Sequence, residues 1–360
     1  MAVRSFLVLC LAAGTKALDT VNYGAFLATA TYSVANQLGF FDDFDLSVIY
    51  NQVPNSTAAF NSILSGEYDI LSATVDNALN YRFNLNKTVT VLGQLDQGPD
   101  LVVASTASIT SFDQLKGKPI IVDSPLSGYA YLLQEVLAAH GLYLAKGDYY
   151  FMTVGGTAAR YSALSKGVLP NGTEVYATIL NYPFTVEGQF LPEGQAPNIL
   201  ARISDVVAPI TSSALTIRQA TLADCDKNWL LTRFIAALYA ANRVLLDPTY
   251  RKCAIQAIAT QLSVPMQVAR VEYFSAIDSL TGEISPGNNF TVSSEGIMND
   301  VAVRSAFGGF ASVPKGFDFV EALLPGKGNL IDYSVRDAAV KLFETYPTSG
   351  NCTALCPAKL

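Results

Sequence analysis

Seven short apolar runs, at 46–50, 69–73, 89–92, 101–104, 119–123, 150–154 and 175–180, alternate with stretches whose apolar positions recur every three or four residues. Runs of that length read as strands and the periodicity between them as helix, so this part of the chain predicts an α/β arrangement. Over 127–140, for example, Tyr129, Leu132, Leu133, Val136 and Leu137 share one helical face, Gln134 and Glu135 lie on the polar side, and Gly141 supplies a left-handed stop. Beyond about residue 220 strands thin out. Long helices are expected at 227–246, 248–262 and 265–280, with Leu230, Phe234, Leu238 and Leu245 as a core-packing stripe.

Composition enlarges this picture without changing it. A chain of 360 residues that is 50% hydrophobic and 15% charged can bury a large core divided between two lobes, and is too apolar for disorder. Residues 1–17, MAVRSFLVLCLAAGTKA, place Arg4 ahead of an apolar run at 6–13 and the small residues Thr15 and Ala17 ahead of a cut, the pattern of a secretory signal. Losing Arg4 and Lys16 with that signal would leave 21 basic against 30 acidic residues, a net of -9. Such a balance speaks against nucleic acid or an anionic membrane surface as partner. No second run of membrane-spanning length is apparent and the end CPAKL is no lipid-anchor signal, so the expectation is an extracellular monomer without stable membrane insertion.

Four cysteines follow the signal, an even number that in an exported chain favours disulfides over metal ligation. The pairing expected is Cys225 with Cys253 and Cys352 with Cys356, one of three possible connectivities. Five Asn-x-Ser/Thr sites, at Asn55, Asn86, Asn171, Asn289 and Asn351, add the expectation of a eukaryotic secreted glycoprotein.

Four segments in order carry a family resemblance. ANQLGFFDDFDLSVIY (35–50) reads as a helix ending in a Gly-Phe turn before a strand, and ILSGEYDILSATVDNAL (63–79) as a helix-ending glycine, a strand and a pocket loop. ITSFDQLKGKPIIVDSPLSGYAYLL (109–133) holds an LKGK turn, a strand and a pocket helix; AARYSALSKGVLPNGTEVYATILNYPF (158–184) is a helix, a glycine and a strand ending in a Pro loop. Together with WLLTRFIAALYAANRVLLDP (229–248), they resemble the sulfonate-, nitrate- and thiamine-pyrimidine-binding branch of the type II periplasmic solute-binding proteins, in a secreted eukaryotic, fungal form. The resemblance implies two α/β lobes joined by two crossover strands, with a helix-rich C-terminal part and a small-molecule ligand trapped between the lobes. Lobe 1 would take 18–97 plus 207–345, lobe 2 would take 98–206, and 346–360 would be a tail bearing Cys352 and Cys356.

In such sheets ligands bind beyond the carboxyl ends of strands, so four loops qualify. They offer Tyr23, Phe26 and Tyr32; Thr74, Asp76 and Asn77; Asp123, Ser124, Ser127, Gly128 and Tyr129; and Asn181, Tyr182 and Phe184. Each has a structural alternative: helix capping for Thr74, Asn77, Ser127 and the acids, core burial for the aromatics. The loops carry acids and rings but no Lys or Arg, which suits a small, flat, neutral or cationic, pyrimidine-like ligand better than a strong anion.

The fungal pyrimidine synthase of thiamine biosynthesis shares the implied fold, and its family resembles an enzyme using lysine-bound pyridoxal phosphate, a donor histidine and a cysteine-rich iron site. Here the sole histidine, His140, ends a helix, Cys352 and Cys356 fall in the tail, and there is no G-x-S-x-G elbow. No catalytic residue, cofactor or metal is therefore assigned. A cleft enzyme using Asp76 or Asp123, of specialised or thiamine-related metabolism, and a non-catalytic extracellular interaction protein stay open as alternatives.

Overall fold

The computed structural model describes residues 18–98, 100–348 and 350–352; the expected signal and Cys356 lie outside the described residues. Two five-stranded mixed sheets organise the chain. The first contains β1 (Asp19–Ala25), β2 (Leu46–Gln52), β3 (Ile70–Thr74), β4 (Val89–Gln94) and β10 (Ser213–Arg218), in the order β2-β1-β3-β10-β4. The second contains β5 (Val102–Ser105), β6 (Lys118–Val122), β7 (Tyr149–Thr153), β8 (Ala177–Leu180) and β9 (Asn198–Arg202), in the order β7-β6-β8-β5-β9. Each sheet has three parallel strands and a returning strand antiparallel to both its neighbours, β10 in one and β5 in the other.

The chain passes between the sheets twice, at 95–101 and 203–212, and the two passages touch. Leu95 N–H donates to Ser213 O at 2.8 Å, and Ser212 N–H to Asp96 O at 3.2 Å. All seven expected runs become strands with ends displaced by at most two residues, and the 127–140 pattern becomes the helix Gly128–Ala139, N-capped by Ser127. Around each sheet the helices bury apolar faces. Phe41 stacks on Phe234 at 5.4 Å against one face of the first sheet, Phe60 stacks on Tyr81 at 4.3 Å on the other, and Leu133 and Leu137 pack on Ile120 in the second.

After β10 the expected long helices are Cys225–Leu246, Arg251–Leu262 and Met266–Ala276, the second preceded by a 3₁₀ turn at Pro248–Tyr250. The third stops short of the expected 280 because the Asp278 carboxylate takes the N–H groups of Leu280 and Thr281 and turns the chain. By length and hydropathy Cys225–Leu246 could cross a bilayer, contrary to the sequence expectation. In this fold 78% of its most apolar window is buried inside the first lobe, which accounts for its composition as core.

The expected cysteine pairing is corrected. Cys253 is bonded to Cys352, with Cα atoms 5.6 Å apart, and Cys225 is a free, exposed cysteine. Cys225 opens a helix of 22 residues and Cys253 follows its far end, about 33 Å away at 1.5 Å per residue. The Ser334–Thr345 helix packs along Cys225–Leu246, and the chain beyond it brings Cys352 onto the core beside Cys253.

Candidate ligand-binding site between the lobes

The carboxyl ends of all six parallel strands point into one cavity. From the first sheet come Phe26 and Thr29 after β1, Ser56 after β2, and Thr74 and Asn77 at the end of β3; from the second come Asp123, Ser127 and Tyr129 after β6, Thr157 after β7, and Asn181 and Tyr182 after β8. Asp96 and Ser213 line it where the chain crosses between lobes, and Glu283 where the helical C-terminal part covers its end. The enclosed space is about 60 Å³, room for a group of a few heavy atoms.

Hydrogen bonds tie the two lobes together around it. Asp123 Oδ2 accepts the Ser56 N–H at 3.0 Å and also the Ser56 hydroxyl, and Tyr182 donates its phenol to Val268 O at 3.1 Å. Gly156 N–H reaches Pro54 O at 2.8 Å, and Gly128 N–H reaches Asn77 Oδ1 at 3.1 Å. Gly128 has to be glycine for this approach, since a Cβ there would lie 2.9 Å from both Asp76 Cβ and Thr74 Oγ1. The lobes are thus closed on each other.

The expected residues separate into two groups. Phe26, Thr74, Asn77, Asp123, Ser127, Tyr129, Asn181 and Tyr182 line the cavity together. Tyr23 and Tyr32 stack on each other at 5.4 Å in the core below it, Phe184 packs on Tyr161, and Ser124 turns its hydroxyl to the Leu126 N–H. Gly128 and Asp76 form the interlobe contact at the rim. Asp76 is clamped by Arg304, whose Nε and Nη2 meet Oδ1 and Oδ2 at 2.8 and 2.6 Å, while Nη2 also donates to Leu126 O and the guanidinium lies 4.1 Å over Tyr131. His140 stacks on Phe112 at 3.8 Å, a capping and packing role.

Arg160 corrects the expectation that no cation reaches the cavity. It rises from the helix Thr157–Lys166 that follows β7, a strand whose loop is not among the four expected to line the cleft, and is fully buried. Its Nη1 lies 3.9 Å from Asp123 Oδ1 and donates to Gly155 O; Nε donates to Thr178 Oγ1, and Nη2 to Thr157 Oγ1 and Ile179 O. Burial lowers its pKa and Asp123 opposes that effect. Four of its five N–H donors are therefore used within the second lobe, and its charge faces Asp123.

Asp96, Glu283, Ser56 and Thr157 were not among the expected residues. Asp96 and Glu283 are the informative ones. Asp96 Oδ1 accepts the N–H groups of Gly98 at 2.9 Å and Ser213 at 3.3 Å; Glu283 Oε2 accepts the Ala30 N–H at 2.5 Å, at the start of the helix Ala30–Gln37. Burial pushes the Glu283 carboxyl up to about 7, the neighbouring Asp96 adds to this, and contact with Glu272 and the Ala30 N–H oppose it. The local signal for Asp96 was its place directly after β4, a strand end of the same kind as the loops that were scanned. Glu283 lies in an irregular stretch with no strand before it, and only the fold brings it to the cavity. Among the described residues no group of three or more His, Cys, Asp or Glu side chains is placed to hold a metal ion.

This architecture has the periplasmic-binding-protein fold: two mixed α/β sheets with a helix-rich C-terminal part, facing each other across a cavity. Over residues 28–191 the chain matches the family model described as NMT1/THI5 like. Among solved structures it is similar to the alkanesulfonate-binding protein SsuA from Xanthomonas axonopodis pv. citri bound to MOPS, with 15% identity over 84% of this chain and 96% of that one and a TM-score of 0.62. It is similar also to the periplasmic nitrate-binding protein NrtA from Synechocystis, with 13% identity, 93% and 92% coverage and a TM-score of 0.64. A Candida albicans gene product, described as defining a new family with the generic periplasmic binding protein fold, aligns at 17% identity with 93% and 97% coverage and a TM-score of 0.61. No curated protein matches the sequence.

Proposed function

We propose that this protein is a secreted, glycosylated solute-binding protein that captures a small, flat, pyrimidine-like molecule by closing its two lobes. The observation that carries this reading is the convergence of six strand ends from two sheets on one enclosed cavity whose rim is sealed by lobe-to-lobe hydrogen bonds. Phe26, Tyr129 and Tyr182 supply apolar walls, and the buried Oγ1 of Thr74 and Oδ1 of Asn181 have no hydrogen-bond partner within the protein, so a ligand can meet them. Asn86, Asn171 and Asn351 are exposed where glycans would attach, while Asn55 and Asn289 are half-buried and accept hydrogen bonds through Oδ1. Of the two acids a cleft enzyme would recruit, Asp76 is held bidentate by Arg304, which leaves it poorly placed for proton transfer.

Calorimetry against aminopyrimidines, sulfonates, nitrate and amino-acid derivatives, with X-ray scattering of the same samples, tests the reading. Heat of binding accompanied by a smaller radius of gyration is expected for one class. Absence of heat and of compaction across the panel would overturn it.

A further inference from the structure

The charges around the cavity do not balance. Arg160 and Asp123 offset each other, and among the described residues no other Lys, Arg or His lines the space. Glu283 and Asp96 line the same space, 6% and 5% exposed, and beside Glu283 stands Glu272 from the helix Met266–Ala276. Glu272 is wholly buried, and among the described residues neither of its oxygens has a donor; its carboxyl meets that of Glu283. The ionisable groups acting on the pair are acidic. Asp100 is paired outward with Arg202 at 2.9 Å, Glu187 faces Tyr182, and Tyr23 brings a buried phenol. A fully buried, donor-less carboxyl against a second one is stable only if a proton or a cation sits between the group and its neighbours.

We propose that the Glu283–Asp96 end of the cavity, backed by Glu272, is a subsite for a protonated nitrogen of the ligand, an amidinium or ammonium group. This rests on the solute-binding reading and adds the charge of the solute. The free space accommodates such a group, its N–H donors meet carboxylate oxygens, and the ring walls of Tyr129 and Tyr182 favour a cation. An incoming cation displaces the proton that Glu283 and Glu272 hold. Burial, with Asp96 adding to it, keeps the Glu283 proton on up to about pH 7, and burial beside Glu283 raises Glu272 as well, so cation affinity rises as the pH passes through about 7.

Acetamidinium, acetamide and acetate, nearly isosteric and differing in charge, are the probes. Amide-resolved NMR titration at about pH 8 is expected to show acetamidinium binding at least about tenfold more tightly than acetamide, with acetate weakest, and the preference shrinking at about pH 6. Glu283→Gln keeps an acceptor for Ala30 and is expected to abolish the preference. Asp96→Asn, which keeps the acceptor for Gly98 and Ser213, is expected to weaken it and serves if the first variant does not fold. Equal or tighter binding of acetamide or acetate, acetamidinium binding unaltered in both variants, or no binding of acetamidinium overturns the cation subsite. If the wider solute panel still gives heat and compaction, the solute-binding reading survives that result; if neither experiment gives binding, both are lost.

Discussion

Individual side chains at the site fix two quantities that can be measured directly. Glu283 and Glu272 are carboxyls whose pKa is raised by burial, so the native state holds protons that the unfolded chain has released. Their contribution to stability is complete below the unfolded value near 4.5 and declines as pH rises through the raised folded values, about 7 for Glu283. The ligand-free protein should therefore lose thermal stability between about pH 5 and 8 in low-salt buffer, and Glu272→Gln should flatten that dependence. A melting temperature independent of pH over this range would contradict the assignment. Gly128 sets a steric limit: Gly128→Ala places a methyl against Asp76 and Thr74, and should cost about 1–3 kcal/mol of closure, read as a larger radius of gyration and weaker solute binding with the fold intact. Much of this level could be read in the sequence, since eight of the expected loop residues line the cavity. Asp96, just past the end of β4, obeys the same strand-end rule; Arg160 and Glu283 could not be read, because Arg160 lies on a helix and Glu283 in a segment 187 residues beyond Asp96 that only folding brings near.

Among the elements, the helix Ser294–Ala306 joins the two lobes most directly. Ile297 and Val301 pack in the first lobe's core and Val303 in the second's. Asp300 Oδ2 takes the Thr211 N–H and Asn299 donates to Pro209 O, both in the returning crossover, while Arg304 holds Asp76 and Leu126 across the rim. Removing the guanidinium strands a buried carboxylate, so Arg304→Met should cost about 3–5 kcal/mol in denaturant unfolding, and the double change with Asp76→Asn should recover a large part of that loss. A double variant as unstable as the single one would mean the helix is held by packing alone. This helix was outside the sequence reading, as were β1, β9 and β10. DTVNYGA and NILAR mix polar and apolar residues without a clean run, and SALTIR gives its apolar face to a sheet supplied by distant segments. The seven runs that were legible are those dominated by apolar residues, whether they pair parallel, as β2, β3, β6, β7 and β8 do, or antiparallel, as β4 and β5 do.

For the whole molecule, the covalent link between Cys253 and Cys352 closes a loop of sequence separation 99 within the first lobe. Cys352→Ser should lower stability by about 2–5 kcal/mol, and peptide mapping without reduction should recover the 253–352 cross-link. Recovery of Cys225 bonded to Cys253 would refute the topology of the C-terminal helices. The order of the strands has a temporal consequence as well. β10 inserts between β3 and β4, so on a ribosome those two strands wait with open edges until residue 218 has emerged, whereas the second sheet is complete at residue 202. The lobe that begins first is finished last. Nascent chains arrested shortly after residue 202 should yield a protease-resistant second lobe alongside a degradable N-terminal segment, and a chaperone's period of greatest value falls in that interval.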